Sequence, residues 1–87
     1  MLKTEIYLNN NYNGIAIFKN GICIYSCNYF NNADFLSMQN MDNAELENYV
    51  NGAEHWDGND YIFKTIDDLY NANDFYCSWY QIYKRQL

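Results

Sequence analysis

Near the start of the chain, Glu5-Ile6-Tyr7-Leu8 has the two-residue period of a short strand. Asn9, Asn10, Asn11 and Asn13 follow as a polar turn that ends at Gly14. Two apolar runs come next, Ile15-Ala16-Ile17-Phe18 and Ile22-Cys23-Ile24-Tyr25, on either side of Lys19-Asn20-Gly21. Asn-Gly adopts the two positive φ angles of a type I′ turn, so the two runs are predicted to form a β-hairpin. With Asn20-Gly21 as a two-residue loop, Phe18 is expected opposite Cys23, Ile17 opposite Ile24 and Ala16 opposite Tyr25. The second strand has the residues to continue through Cys27 to Phe30.

Asn31 and Asn32 interrupt the strand pattern, and Ala33 to Met38 has the makings of a helical turn without a clear period. A stronger helix starts at Asp42, which is placed to cap it, with Glu45 three residues on as a variant of the capping box. Leu46, Tyr49 and Val50 form its apolar stripe, and Gly52 closes it. His55 to Asp60 is a loop by its turn residues, and Tyr61 to Lys64 is a short β-prone run. Thr65 can cap a last helix, with Asp67 and Asp68 complementing the macrodipole of its first turn. Leu69, Ala72, Tyr76, Trp79 and Tyr83 recur at steps of three or four, the spacing of one helix face, with a break available at Asn71 to Asn73. Phe75 to Tyr83 is also rich in strand formers, so a strand there is the rival reading. The expected order β-β-β-α-β-α describes an α+β fold. A small antiparallel β-sheet with an N-terminal β-hairpin packs against two or three helices.

The chain has 87 residues, enough for a single domain over 1–87 with a small core. Aromatic residues make up 20% of it, ten of them tyrosine, which supplies apolar area and argues against disorder. No apolar run approaches the ~18 residues of a membrane span. Met1 to Glu5 contains no signal-peptide core, so a soluble cytoplasmic protein is expected.

Charge changes this picture most. The net charge is −6. Ten acids lie between Asp34 and Asp74, with Lys64 as the only Lys or Arg among them, so that segment carries −9 and its flanks +3. Such a surface repels nucleic acid and anionic lipid, so neither a direct nucleic-acid partner nor a membrane is expected. It attracts basic protein surfaces, above all those that hold phosphates. Fifteen asparagines against four lysines point the same way, since AT-rich codons enrich both residues and only one is abundant.

No catalytic pattern stands out. Cys23, Cys27 and Cys77 lack metal-ligand spacing, and His55 is the single histidine. Cys23 and Cys27 are expected on one strand face, roughly 13 Å apart and out of disulfide reach. Asp57-Gly58-Asn59-Asp60 lacks the remaining ligands of a calcium loop. Glu45 and Glu47 point to different sides of their helix, and Asp67 and Asp68 have a role at a helix start. No enzyme activity, cofactor or metal is expected. A binding role is: Asp42, Glu45, Glu47, Glu54, Asp57, Asp60, Asp67 and Asp68 would supply charge, with Trp56 and Tyr61 as aromatic anchors.

Small size, the acidic block over 34–74, an AT-rich composition and the lack of a catalytic motif make the chain similar in type to phage-encoded anti-CRISPR proteins. Antirestriction DNA mimics are the neighbouring group, and Tyr12-Asn13-Gly14-Ile15-Ala16 resembles a stretch near their N-terminal strand. The resemblance implies a stoichiometric inhibitor. It would occupy the basic groove of a CRISPR-Cas effector, or of another nucleic-acid-binding defence complex, and block DNA or guide RNA, its carboxylates standing in for phosphates. An immunity protein or antitoxin that neutralises a basic nuclease toxin uses the same electrostatics. A homodimeric assembly module built on the Tyr-rich hairpin is the third reading, and the chain would act as a monomer or a homodimer.

Overall fold

The computed structural model describes residues 3–73 and 78–86. Strands β1 (Lys3–Asn9), β2 (Gly14–Lys19) and β3 (Ile22–Cys27) come first. Helices α1 (Asn32–Asn40) and α2 (Asn43–Val50) follow, then a single 3₁₀ turn at Ala53–His55, helix α3 (Ile66–Ala72) and strand β4 (Tyr80–Gln86). The strands form one antiparallel sheet in the order β3-β2-β1-β4, so the architecture is α+β.

Both faces of the sheet are covered, which is why Glu5 to Asn9 is buried without a break. Alternation along β1 and β2 sorts the side chains. Ile6, Leu8, Ile15 and Ile17 join Phe35 and Met38 of α1, Leu46 and Val50 of α2, and Ala53 on one side. Tyr7, Ala16 and Phe18 meet Leu69 of α3, Phe63 and Trp79 on the other. At the β1–β2 turn, Gly14 lets these layers close. A Cβ there would sit 2.7 Å from Trp79 Cη2.

The hairpin turn forms as its residues predict, with Asn20 at φ +54° and Gly21 at φ +78°. Phe18 faces Cys23, but the register then shifts, so Ile17 faces Tyr25 and Ala16 faces Ser26. Ile24 is the extra residue of a β-bulge, which corrects the expected pairing of Ile17 with Ile24 and Ala16 with Tyr25. The bulge also changes side-chain parity. Cys23 packs with the α3 layer and Cys27 with the α1–α2 layer, on opposite faces instead of one.

Asn31 starts α1, its side chain accepting from the N–H groups of Ala33 and Asp34. Asp42 caps α2, accepting from Glu45 N–H at 2.8 Å, and Gly52 takes φ +80° just beyond the helix. Asp68 reaches back to the N–H groups of Lys64 and Thr65 at 2.8 and 3.0 Å and fixes the start of α3.

Two expectations are corrected. Tyr61 to Lys64 is not a strand. It belongs to a strap along the outer edge of β3, where Ser26 Oγ accepts from Ile62 and Phe63 N–H and an isolated bridge joins Thr65 to Ile22. The last helix does not continue to Tyr83. It ends at Ala72, and Tyr80–Gln86 is an edge strand on β1. Asn73 turns the chain, its side-chain oxygen accepting from Trp79 N–H at 2.7 Å, a local bond that competes with helix. A register shift between Ile6 and Tyr7 then puts Trp79 in one layer and Tyr83 in the other, although they lie four residues apart. Tyr76 and Cys77, and most of the stretch Phe75 to Tyr83 before β4, lie outside the described residues.

Candidate protein-binding surface

The backbone sorts the charges by position. Thr4 lies between Lys19 of β2 and Arg85 of β4 in register, and Glu5 and Lys84 are paired one step along. Lys3, Lys19, Lys84 and Arg85 therefore share one end of the sheet. Lys3, Lys19 and Arg85 line a cavity of about 270 Å³ there with Glu47 and Tyr83. That cavity is not a free basic site, because its cations are engaged. Lys3 Nζ lies 3.0 Å from Glu5, Lys19 Nζ lies 3.8 Å from Glu54, and Arg85 pairs with Glu47.

The residues singled out in the sequence fall into three regions. Asp42, Glu45 and Glu47 ride on α2, and Glu54, Trp56 and Asp57 follow in and after the 3₁₀ turn. Asp60 and Tyr61 lie on the strap beside β3, where Asp60 N–H donates to the Ser26 carbonyl. Asp67 and Asp68 head α3, on the opposite face of the sheet. The structure does not gather them into one patch.

Several are occupied within the fold. Glu47 accepts from Tyr83 Oη at 3.2 Å and pairs with Arg85, tying α2 to β4. Asp42 and Asp68 serve as helix caps, and the backbone N–H bonds of Thr65 and Lys64 hold the Asp68 carboxyl below its ordinary range. Glu45, Asp57, Asp60 and Asp67, together with Asp34 and the two caps, have no ion-pair partner among the described residues.

Trp56 is half-buried at the centre of an aromatic cluster. Its ring stacks on Phe30 at 5.9 Å and meets Tyr25 and Tyr49 edge to face at 5.3 Å each. Phe30, Tyr49 and Trp56 line an open recess of about 440 Å³ with Asp34, His55 and Asp57. Burial and the neighbouring Asp34 carboxylate push the Tyr49 hydroxyl up to about 12. Asp34, Phe30 and Tyr49 were not singled out for binding in the sequence. Tyr49 reads there as helix stripe, and no local spacing links these residues to Trp56. Tyr61 is 80% exposed and Tyr29 79%, the latter edge to face with Tyr12 at 6.3 Å.

Cys23 and Cys27 are placed as poor nucleophiles. Burial pushes both Cys23 and Cys27 above the ordinary thiol range, while His55 stands exposed on the 3₁₀ turn. Among the described residues, no group of three His, Cys, Asp or Glu side chains is placed to hold a metal ion. No helix among them is long and apolar enough to cross a membrane. Compared with protein-family models, curated proteins and solved structures, the chain matches none.

Proposed function

We propose that this chain is a stoichiometric protein inhibitor that binds a basic, nucleic-acid-binding surface of a bacterial defence effector, in the manner of an anti-CRISPR protein. The observation that carries the reading is charge segregation. Lys3, Lys19 and Arg85 are paired off at one end of the sheet, and seven acids on the helices and the strap have no ion-pair partner among the described residues. Asp42 and Asp68 hold helix starts, whereas the other five unpaired carboxylates do little for the fold and much for a positive cleft, whose field concentrates anions. Because these acids wrap several sides of the molecule, the reading favours seating in a groove over docking on a flat face.

Capture with the tagged chain from cells expressing several CRISPR effectors and a panel of nuclease toxins tests this. The expected result is recovery of a Cas complex, reduced as salt rises. Replacing Asp57, Asp60 and Asp67 together with asparagine weakens capture and leaves the fold intact, because none of them caps a helix. Recovery of a toxin instead moves the chain to the immunity-protein class. Unchanged capture by the triple variant overturns the acidic-surface mechanism.

A homodimer is the second reading, and one observation favours it. Strand β4 pairs only with β1 among the described residues, so its outer edge is open to strand addition. Light scattering that returns twice the chain mass with no partner present would establish it.

A further inference from the structure

We propose that the recess between Phe30, Tyr49 and Trp56 is a subsite for one arginine side chain of a protein partner, with Asp34 and Asp57 receiving its guanidinium. The inference deepens the proposed function and rests on the partner being a basic protein.

The chemistry of the lining selects the occupant. Phe30, Tyr49 and Trp56 offer aromatic carbon, and Asp34 and Asp57 offer two carboxylates with no ion-pair partner among the described residues. A neutral apolar group would desolvate those carboxylates without pairing them, which costs free energy. An anion would be repelled. A compact ammonium satisfies the charge but is strongly hydrated and covers little of the rings. A guanidinium is flat, more weakly hydrated, stacks on aromatic faces and donates a fork of hydrogen bonds to carboxylates. It is the side chain that uses both halves of the lining.

The rim is also held in place before any partner arrives. Tyr25 Oη donates to the Asp57 carbonyl at 2.8 Å and anchors the turn that carries Asp57. Gly58 completes that turn at φ +81°, and a Cβ there would stand 3.3 Å from the same hydroxyl. Asp34 sits in the first turn of α1, its N–H held at 3.2 Å by the Asn31 cap. A preorganised site loses less entropy on binding.

The test is a nitrogen-15 NMR titration of the full chain with an acetylated, amidated Gly-Arg-Gly peptide, beside the same peptide carrying lysine or the neutral isostere citrulline. The arginine peptide is expected to shift the Trp56 indole N–H and the amides of 55–57, with lysine weaker and citrulline inert. The D34N/D57N double variant keeps the Asp57 carbonyl and is expected to bind the arginine peptide about tenfold more weakly. Equal binding of arginine and citrulline overturns the proposal, as does an unmoved Trp56 signal, whether other residues shift or none do. Capture of defence effectors by wild type and D34N/D57N side by side separates the two readings. A partner held equally by both sinks the arginine subsite and leaves the inhibitor reading standing. A partner held by neither sinks the inhibitor reading, whatever the peptide does.

Discussion

Glu5 is a buried carboxylate held by three side chains, Tyr7, Gln81 and Lys3. It is 2% exposed on a central strand, so burial alone would push its carboxyl up. Tyr7 Oη donates to its Oε2 at 2.8 Å, Gln81 donates to the same oxygen at 3.0 Å, and Lys3 Nζ lies 3.0 Å from Oε1. The Tyr7 hydroxyl and the charges of Lys3 and Lys84 outweigh burial and hold Glu5 below its ordinary value of 4.5. A depressed folded value means that the ionised form stabilises the fold above about pH 4.5. That contribution is lost as pH falls through the folded value. Glu5→Gln keeps the shape and removes the charge. It is expected to cost about 1.5–3 kcal/mol in urea denaturation at pH 7, the range for hydrogen bonds to a charged group. The cost should shrink at an acid pH below the depressed folded value, where the wild-type carboxyl is itself protonated. An equal cost at both pH values would assign the effect to shape alone.

At the scale of elements, the two sheet edges are managed differently. The β4 edge, which carries Lys84 and Arg85, has no further strand or strap over it among the described residues. The β3 edge is covered by the strap, and fully buried Ser26 is its fastening. Ser26 Oγ accepts from Ile62 and Phe63 N–H at 2.9 and 3.3 Å, while Asn59 bonds the backbone of Ser26 and Ile24. Ser26→Ala leaves those two donors without their acceptor and is expected to destabilise by about 1–3 kcal/mol. Hydrogen exchange at Ile62 and Phe63 should accelerate well beyond that at Ile6 and Leu8. Uniform acceleration would mean that the strap is not a separate unit. Elements governed by local chemistry were legible in the sequence: the Asn20-Gly21 turn, the Asp42 cap and the start of α3 at Thr65. The bulge at Ile24 and the strap were not, because each is decided by distant partners, and β4 was legible only as the rival reading that the strand formers of Phe75 to Tyr83 supported, which holds over Tyr80 to Tyr83. Trp79 and Tyr83 carry helical spacing, yet a bulge and a place beside β1 send them to opposite layers.

At the scale of the whole molecule, the same limit applies to the candidate site. The acids and Trp56 were visible as a charge block with an aromatic in it, but Phe30, Asp34 and Tyr49 come together with Trp56 only through packing. The net charge of −6 is also a load on the fold. The seven acids without an ion-pair partner among the described residues repel one another, and that repulsion is relieved by salt. Raising sodium chloride from about 10 to 150 mM is therefore expected to raise Tm, as the Debye length falls from roughly 30 to 8 Å. Relief on the order of 0.5 kcal/mol corresponds to roughly 2–4 °C in a domain of this size. Replacing Asp57, Asp60 and Asp67 with asparagine should raise Tm at low salt and flatten its salt dependence. A variant that is more stable yet captures its partner less well would place the value of these carboxylates outside the fold, in what they bind. A variant that loses stability at low salt would instead give these acids a structural role and remove the physical basis for an acidic binding surface.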